Sequence, residues 1–137
     1  MKKKILLVDD HPGENYNFIS ALRDGGYDVD VTAYISTARI KLKQAGKYNL
    51  VVLDVMMPTL GEDFSNIDTE DGLKTGLVYY ESELKNINIP VLFWSWNEGF
   101  KKDIEEKKWD KTDFIFKNCE VDHLLKGVEC FCEKFNI

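Results

Sequence analysis

Five residues of this 137-residue chain combine a reactive side chain with a telling position: Asp9, Asp10, Asp54, Ser95 and Lys117. Asp9 and Asp10 close the apolar run that begins at Ile5. Asp54 interrupts the run Leu50 to Val55, Ser95 follows Pro90 to Trp94, and Lys117 follows Phe114 to Phe116. A single polar residue after an apolar run reads most simply as a solvated strand end. All of them together, delivered to one edge of a sheet, would form a site. Three carboxylates gathered there would repel and raise one another's pKa unless a cation joined them. Mg²⁺ suits such a set, because it takes oxygen ligands in an octahedron, few of them from protein. A carboxylate beside the metal can attack phosphorus and become an aspartyl phosphate. A lysine ammonium and a serine hydroxyl can then hold the new phosphoryl oxygens.

The intervening segments decide whether these residues can meet. Lys4 to Val8 predicts a first strand. Pro12 stands where a first helix could begin, with Phe18, Ile19 and Leu22 inward and Gly25-Gly26 as its end. Tyr27 to Val31 alternates as a second strand. Ser36 can cap a helix running to about Ala45, with Ile40 inward and Gly46 as the stop. Leu50 to Val55, apolar except for Asp54, has the pattern of a central strand buried on both sides. Helix is expected from Gly72 to about Leu84, strand from Pro90 to Trp94, and a charged, exposed helix from Asn97 to Lys108. Phe114 to Phe116 predicts a last strand and Glu120 to Phe135 a last helix. Five β-α units without a repeat or linker imply an α/β fold, a parallel sheet with helices on both faces. In such sheets the ligand crevice lies at the carboxyl ends of the strands, which is where the reactive residues fall.

Composition excludes several classes. Hydrophobic residues make up 44% and charged residues 31%, a globular balance. The net charge of -6 disfavours direct nucleic-acid binding. No apolar run approaches the roughly 20 residues that span a bilayer, so no membrane association is expected. The Lys2-Lys3-Lys4 start is followed by too short an apolar run for a signal peptide. Cys119, Cys130 and Cys132 form no disulfide framework or zinc spacing. They read as buried small hydrophobes in a reducing, cytoplasmic compartment.

The segments ILLVDD at 5–10, LVVLDVMMP at 50–58, DGLKTG at 71–76, IPVLFWS at 89–95 and DFIFK at 113–117 resemble, in order, the receiver domains of response regulators in two-component signal transduction, the CheY-like superfamily. The resemblance covers nearly the whole chain. It implies one receiver domain over 1–137 with the flavodoxin-like (βα)5 doubly wound fold, strand order 2-1-3-4-5. It implies that Asp54 is the phosphoacceptor, and that Asp10, Asp54 and the backbone carbonyl of Met56 ligate Mg²⁺, with Asp9 acting indirectly. Ser95 and Lys117 would bind the phosphoryl group, and Phe114 would turn inward as Ser95 moves. Pro58 would shape the loop after Asp54. The implied partners are a histidine kinase or phosphotransfer protein and a downstream protein target. The only catalysis implied is the domain's own phosphoryl transfer and dephosphorylation.

Three positions depart from the family pattern. An acidic insertion occupies about 59–71; it reads either as a solvated loop or as a lid or recognition element. Its acids miss the ligand spacing of an EF-hand. Trp96 stands where the family has a small residue, and would modulate access to Asp54, swing outward, or pack on the insertion against Phe64. Asn118 replaces the Pro that follows a cis peptide, and a non-Pro cis bond costs about 3 kcal/mol, so a trans bond is expected. Asn118 is also a candidate cap for the last helix.

Other functions fit less well. A haloacid-dehalogenase-like phosphatase needs a second Asp two residues after the nucleophile, and that position is Met56. A flavodoxin-like cofactor binder lacks a Gly-rich phosphate loop after the first strand. The alternative that stays open is a phosphorylation-independent interaction module. Nothing after Phe135 could fold into an effector, so the expectation is a stand-alone receiver or a fragment of a longer chain.

Overall fold

In the computed structural model the described residues are 2–11, 13–44, 46–57, 70, 72–117 and 120–137. The element order is β1 (Lys4–Val8), α1 (Tyr16–Asp24), β2 (Asp28–Thr32), α2 (Ile35–Leu42), β3 (Leu50–Asp54), α3 (Thr75–Ser82), β4 (Val91–Ser95), α4 (Gly99–Lys107), β5 (Thr112–Phe116) and α5 (Val121–Lys134). A 3-10 turn, Leu84–Ile87, follows α3. All four strand pairings are parallel, in the order β2-β1-β3-β4-β5. The expected doubly wound architecture and strand order are therefore present.

β3 and β4 are buried at every position, because helices cover the sheet on both sides. Successive side chains alternate between those sides. Leu6, Val8, Val51, Leu53, Val91 and Phe93 pack with Ile35 and Ala38 of α2, Tyr79 and Tyr80 of α3, and Phe100 and Ile104 of α4. Ile5, Leu7, Leu50, Val52, Leu92 and Trp94 pack with Ile19 and Leu22 of α1 and with Leu124, Val128 and Phe131 of α5. Each Val, Leu, Ile or Phe side chain among them contributes roughly 1.5–3 kcal/mol when taken fully out of water. The ladder registers align the strand ends: Val8 pairs with Leu53, Asp54 with Trp94, and Ser95 with Phe116. This alignment carries the reactive residues to one edge.

Several boundaries differ from the sequence reading. α1 begins at Tyr16, after a turn in which the Asn15 side-chain amide donates to the His11 carbonyl, 3.0 Å; Pro12 lies outside the described residues. In α2, Ile40 is 66% exposed rather than inward. The helix starts at Ile35, without a side-chain cap from Ser36, and places Ile35 and Ala38 inside. Ile40 is five residues beyond Ile35, about 140° around a helix of 3.6 residues per turn. Arg39 beside it points to the Glu83 carboxylate, 2.6 and 2.7 Å. Gly72 does not start α3; its φ of +89° belongs to a turn, and the helix begins at Thr75. α2 ends at Leu42, with Ala45 outside the described residues and Gly46 at φ +74°. β2 and β4 run one residue later than expected, and β3 one residue shorter. α5 starts at Val121 with Glu120 at its cap position. Asn118 and the bond before it lie outside the described residues, as does the insertion save Glu70. Cys132 is buried and Cys130 exposed.

Candidate functional site

The carboxyl edge of the sheet holds a buried ionic cluster. β1 delivers Asp9, β3 ends at Asp54, β4 ends at Ser95, and Lys117 follows β5. Lys117 Nζ donates to Asp9 Oδ2 at 2.8 Å and to Asp54 Oδ2 at 3.2 Å. Asp9, Asp54, Ser95 and Lys117 are all 5% exposed or less. The two carboxylates are further held by backbone amides: His11 N donates to Asp9 Oδ1, 2.8 Å, and Met56 N to Asp54 Oδ1, 3.1 Å. Sequence reasoning gave Asp9 only an indirect part, yet it is the nearer carboxylate to Lys117. The Lys117 backbone N–H donates to the Ser95 carbonyl, 2.8 Å, so β4 and β5 fix the lysine and the serine relative to each other. Ser95 Oγ accepts from Asn97 N, 3.1 Å, a bond that leaves its hydroxyl hydrogen for another acceptor.

Burial is the main cause that pushes the Asp54 carboxyl up to about 7; Lys117 opposes the rise and Asp9 adds to it. Burial thus disfavours the ionised form of the central carboxylate even with Lys117 beside it. Asp10 Oδ1 is buried without a hydrogen bond among the described residues, although His11 Nδ1 stands 3.1 Å away at ion-pairing distance without the alignment of a hydrogen bond. Asp9, Asp10 and His11 each offer a ligand atom, all within 4.8 Å of one another. Asp54 is outside that grouping. A buried Asp10 oxygen without a hydrogen-bond partner among the described residues, grouped with the Asp9 carboxylate, fits a hard divalent cation such as Mg²⁺.

Asp54 opens onto a cavity of about 420 Å³, lined also by His11, Met56, Ser95, Trp96 and Lys117. Trp96, a residue 56% exposed, stands edge-on to Phe116 with ring centroids 6.4 Å apart. It borders the cavity without sealing it; its expected contact with Phe64 falls outside the described residues. Phe114 packs, partly buried, against the core beneath α3 and α4.

Two residues of the DGLKTG segment support the site in ways that the sequence reading did not assign. The Thr75 hydroxyl donates to the Met57 carbonyl, which ties down the chain just after Asp54. Gly76 lies directly on β3: a Cβ there would collide with the Asp54 carbonyl oxygen and come within 2.8 Å of Val55 Cα. Only the spacing of small residues after a turn could have pointed to this close approach.

The sequence from 5 to 129 matches the family model described as response regulator receiver domain. No sequence among the curated proteins matches the chain. Among solved structures, it is similar to the chemotaxis response regulator CheY4 of Vibrio cholerae at 24% identity and TM-score 0.66, covering 96% of this chain and 99% of that one. The Francisella response regulator 1452 receiver domain aligns at 23% identity and TM-score 0.66, covering 97% and 98%. A two-component response regulator from Clostridium difficile aligns at 16% identity and TM-score 0.69, covering 99% and 100%. At these identities the solved structures establish the fold. No helix among the described residues is long and apolar enough to cross a membrane.

Proposed function

The chain belongs to the response regulator receiver family, and from that membership we propose that it is a phosphorylation-activated signalling receiver. In this reading Asp54 accepts a phosphoryl group from a histidine kinase or phosphotransfer protein in the cytoplasm, and a protein target reads the change. Like other receivers it is a signalling domain rather than a classical enzyme. The observation that carries the reading is Asp54 itself: buried at the end of β3, paired with Lys117 at 3.2 Å, and open to a cavity it shares with Ser95.

Asp10, Asp54 and the backbone carbonyl of Met56 would hold Mg²⁺, with Asp9 bearing on it through its neighbours. Bound there, Mg²⁺ would supply the positive charge that keeps Asp54 ionised and would offset charge on the incoming phosphoryl oxygens. An Asp54 carboxylate oxygen forms the bond to phosphorus as the phosphorus–nitrogen bond of a phosphohistidine donor breaks. Met56 N and Lys117 Nζ, which now hold one oxygen each, keep the carboxylate aimed during this exchange. The added charge then draws the Lys117 ammonium and the Ser95 hydroxyl towards it. Ser95 moving inward vacates space that Phe114, two residues before the β5 partner of Ser95, turns in to fill, and so shifts the population between two packings. Self-dephosphorylation, by water entering the same cavity, belongs to this reading.

Divalent metal is expected to stabilise the fold through the same carboxylates. Mg²⁺ at tenfold its dissociation constant adds about 1.4 kcal/mol, or roughly 5 °C in melting temperature for a chain of this size. Thermal melts with and without millimolar Mg²⁺ check this, with Asp10→Asn losing the increment. A wild-type melting temperature indifferent to Mg²⁺ would count against the metal site.

A further inference from the structure

Lys117 has a third neighbour, which the phosphoacceptor chemistry above does not use. Its Nζ lies 4.4 Å from the centroid of the Trp94 ring. Trp94 immediately precedes Ser95 on β4 and stands opposite Asp54 in the ladder. It is fully buried. Phe18 of α1 meets it edge-on, with centroids 5.9 Å apart and planes at 86°, which fixes the indole plane. The Trp94 Nε1 is buried with no hydrogen-bond partner among the described residues. An unpartnered buried N–H is unfavourable, and a phenyl or aliphatic side chain would not carry it. What the indole supplies beyond those alternatives is the strongest π face on which a cation can rest.

We infer that Trp94 is a positioning residue for Lys117: its ring holds the ammonium beside Asp54 while the ammonium exchanges carboxylate for phosphoryl oxygens. The inference rests on the phosphoacceptor reading of this site. Lysine carries three donors on a flexible four-carbon stem. Here they are drawn to Asp9 and Asp54, and those bonds must loosen as a phosphoryl group arrives. Attraction between a cation and a ring face does not depend on where each N–H points. The ring can therefore keep the charge in place while the hydrogen bonds change. With an aliphatic residue at 94 the ammonium has no such hold, and its stem reaches positions away from Asp54.

Three measurements on the full chain test this. In the wild type, the ring current of Trp94 should shift the Lys117 ε-methylene protons upfield in the NMR spectrum. Trp94→Leu should lose that shift and label three- to tenfold more slowly with acetyl phosphate and Mg²⁺. Trp94→Phe keeps a π face, sheds the orphaned N–H, and should restore most of the rate. Unshifted Lys117 protons in the wild type, or wild-type labelling by Trp94→Leu, overturns the inference. Equal slowing in both variants, with both folded by circular dichroism, overturns it too, because a packing defect is then the cause. Should Trp94→Leu fail to fold, the wild-type spectrum and Trp94→Phe decide alone: a shift with near wild-type labelling supports the role. Absence of any labelling in the wild type overturns the phosphoacceptor reading itself, a result distinct from all of these.

Discussion

Asp54→Asn is expected to abolish phosphoryl labelling while leaving the chain folded. The amide nearly matches the carboxylate in shape but has no oxygen able to attack phosphorus. The fold should tolerate the change, because burial disfavours the Asp54 charge and the variant removes that charge. Among the described residues Asp9, at 2.8 Å, then remains as the carboxylate against Lys117. Labelling with a radioactive phosphodonor, run beside a circular dichroism melt, checks both halves. Retained labelling at the wild-type level would mean that another residue accepts the group.

Lys117→Met should produce the largest stability loss of any single change at the site. The ammonium is the shared partner of two buried carboxylates, and removing one side of a buried ionic pair costs roughly 3–5 kcal/mol. The loss should depend on pH in a defined direction. Asp54 has a folded-state pKa of about 7, above its ordinary value of 3.8. Such a group is neutral in both states at low pH and weakens the fold as pH rises and the carboxylate charges. Lys117 is the main influence that lowers this pKa, so its removal raises the pKa further and enlarges the penalty. The deficit relative to wild type should therefore be greatest above pH 7 and should shrink towards pH 4. Mg²⁺ should recover part of it. Urea unfolding across that range tests this; a deficit that grew as pH fell would contradict the assigned role of Lys117.

The sheet was legible because its central strands are buried on both sides, which leaves runs such as Leu50 to Leu53 almost free of polar residues. The reactive residues were legible for the same reason, since a charge that ends such a run stands out. Helix starts were less so. Among the described residues none of the five α-helices carries a side-chain cap hydrogen bond, so the cap residues that usually mark an N-terminus were missing or misleading, as Ser36 was. Ile40 looked like core because it is apolar; its exposure follows from helix phase, fixed by Ile35 and Ala38. The close pairing of Asp9 with Lys117 spans 108 positions and depends on how side chains turn across the sheet edge. Trp94 lay within an apolar run that explained it fully as core, and only the folded arrangement of β4 and β5 sets its ring against the ammonium.

The central claim is that Asp54 is the phosphoacceptor, and one measurement bears on it most directly. The wild-type chain is incubated with acetyl phosphate, with and without Mg²⁺, then digested, and the phosphorylated peptide is sequenced by mass spectrometry. A single phosphoryl group is expected, on Asp54, formed only when Mg²⁺ is present. A chain that stays unlabelled under these conditions, or one labelled at a residue other than Asp54, would contradict it and favour a module that signals without phosphorylation of this site.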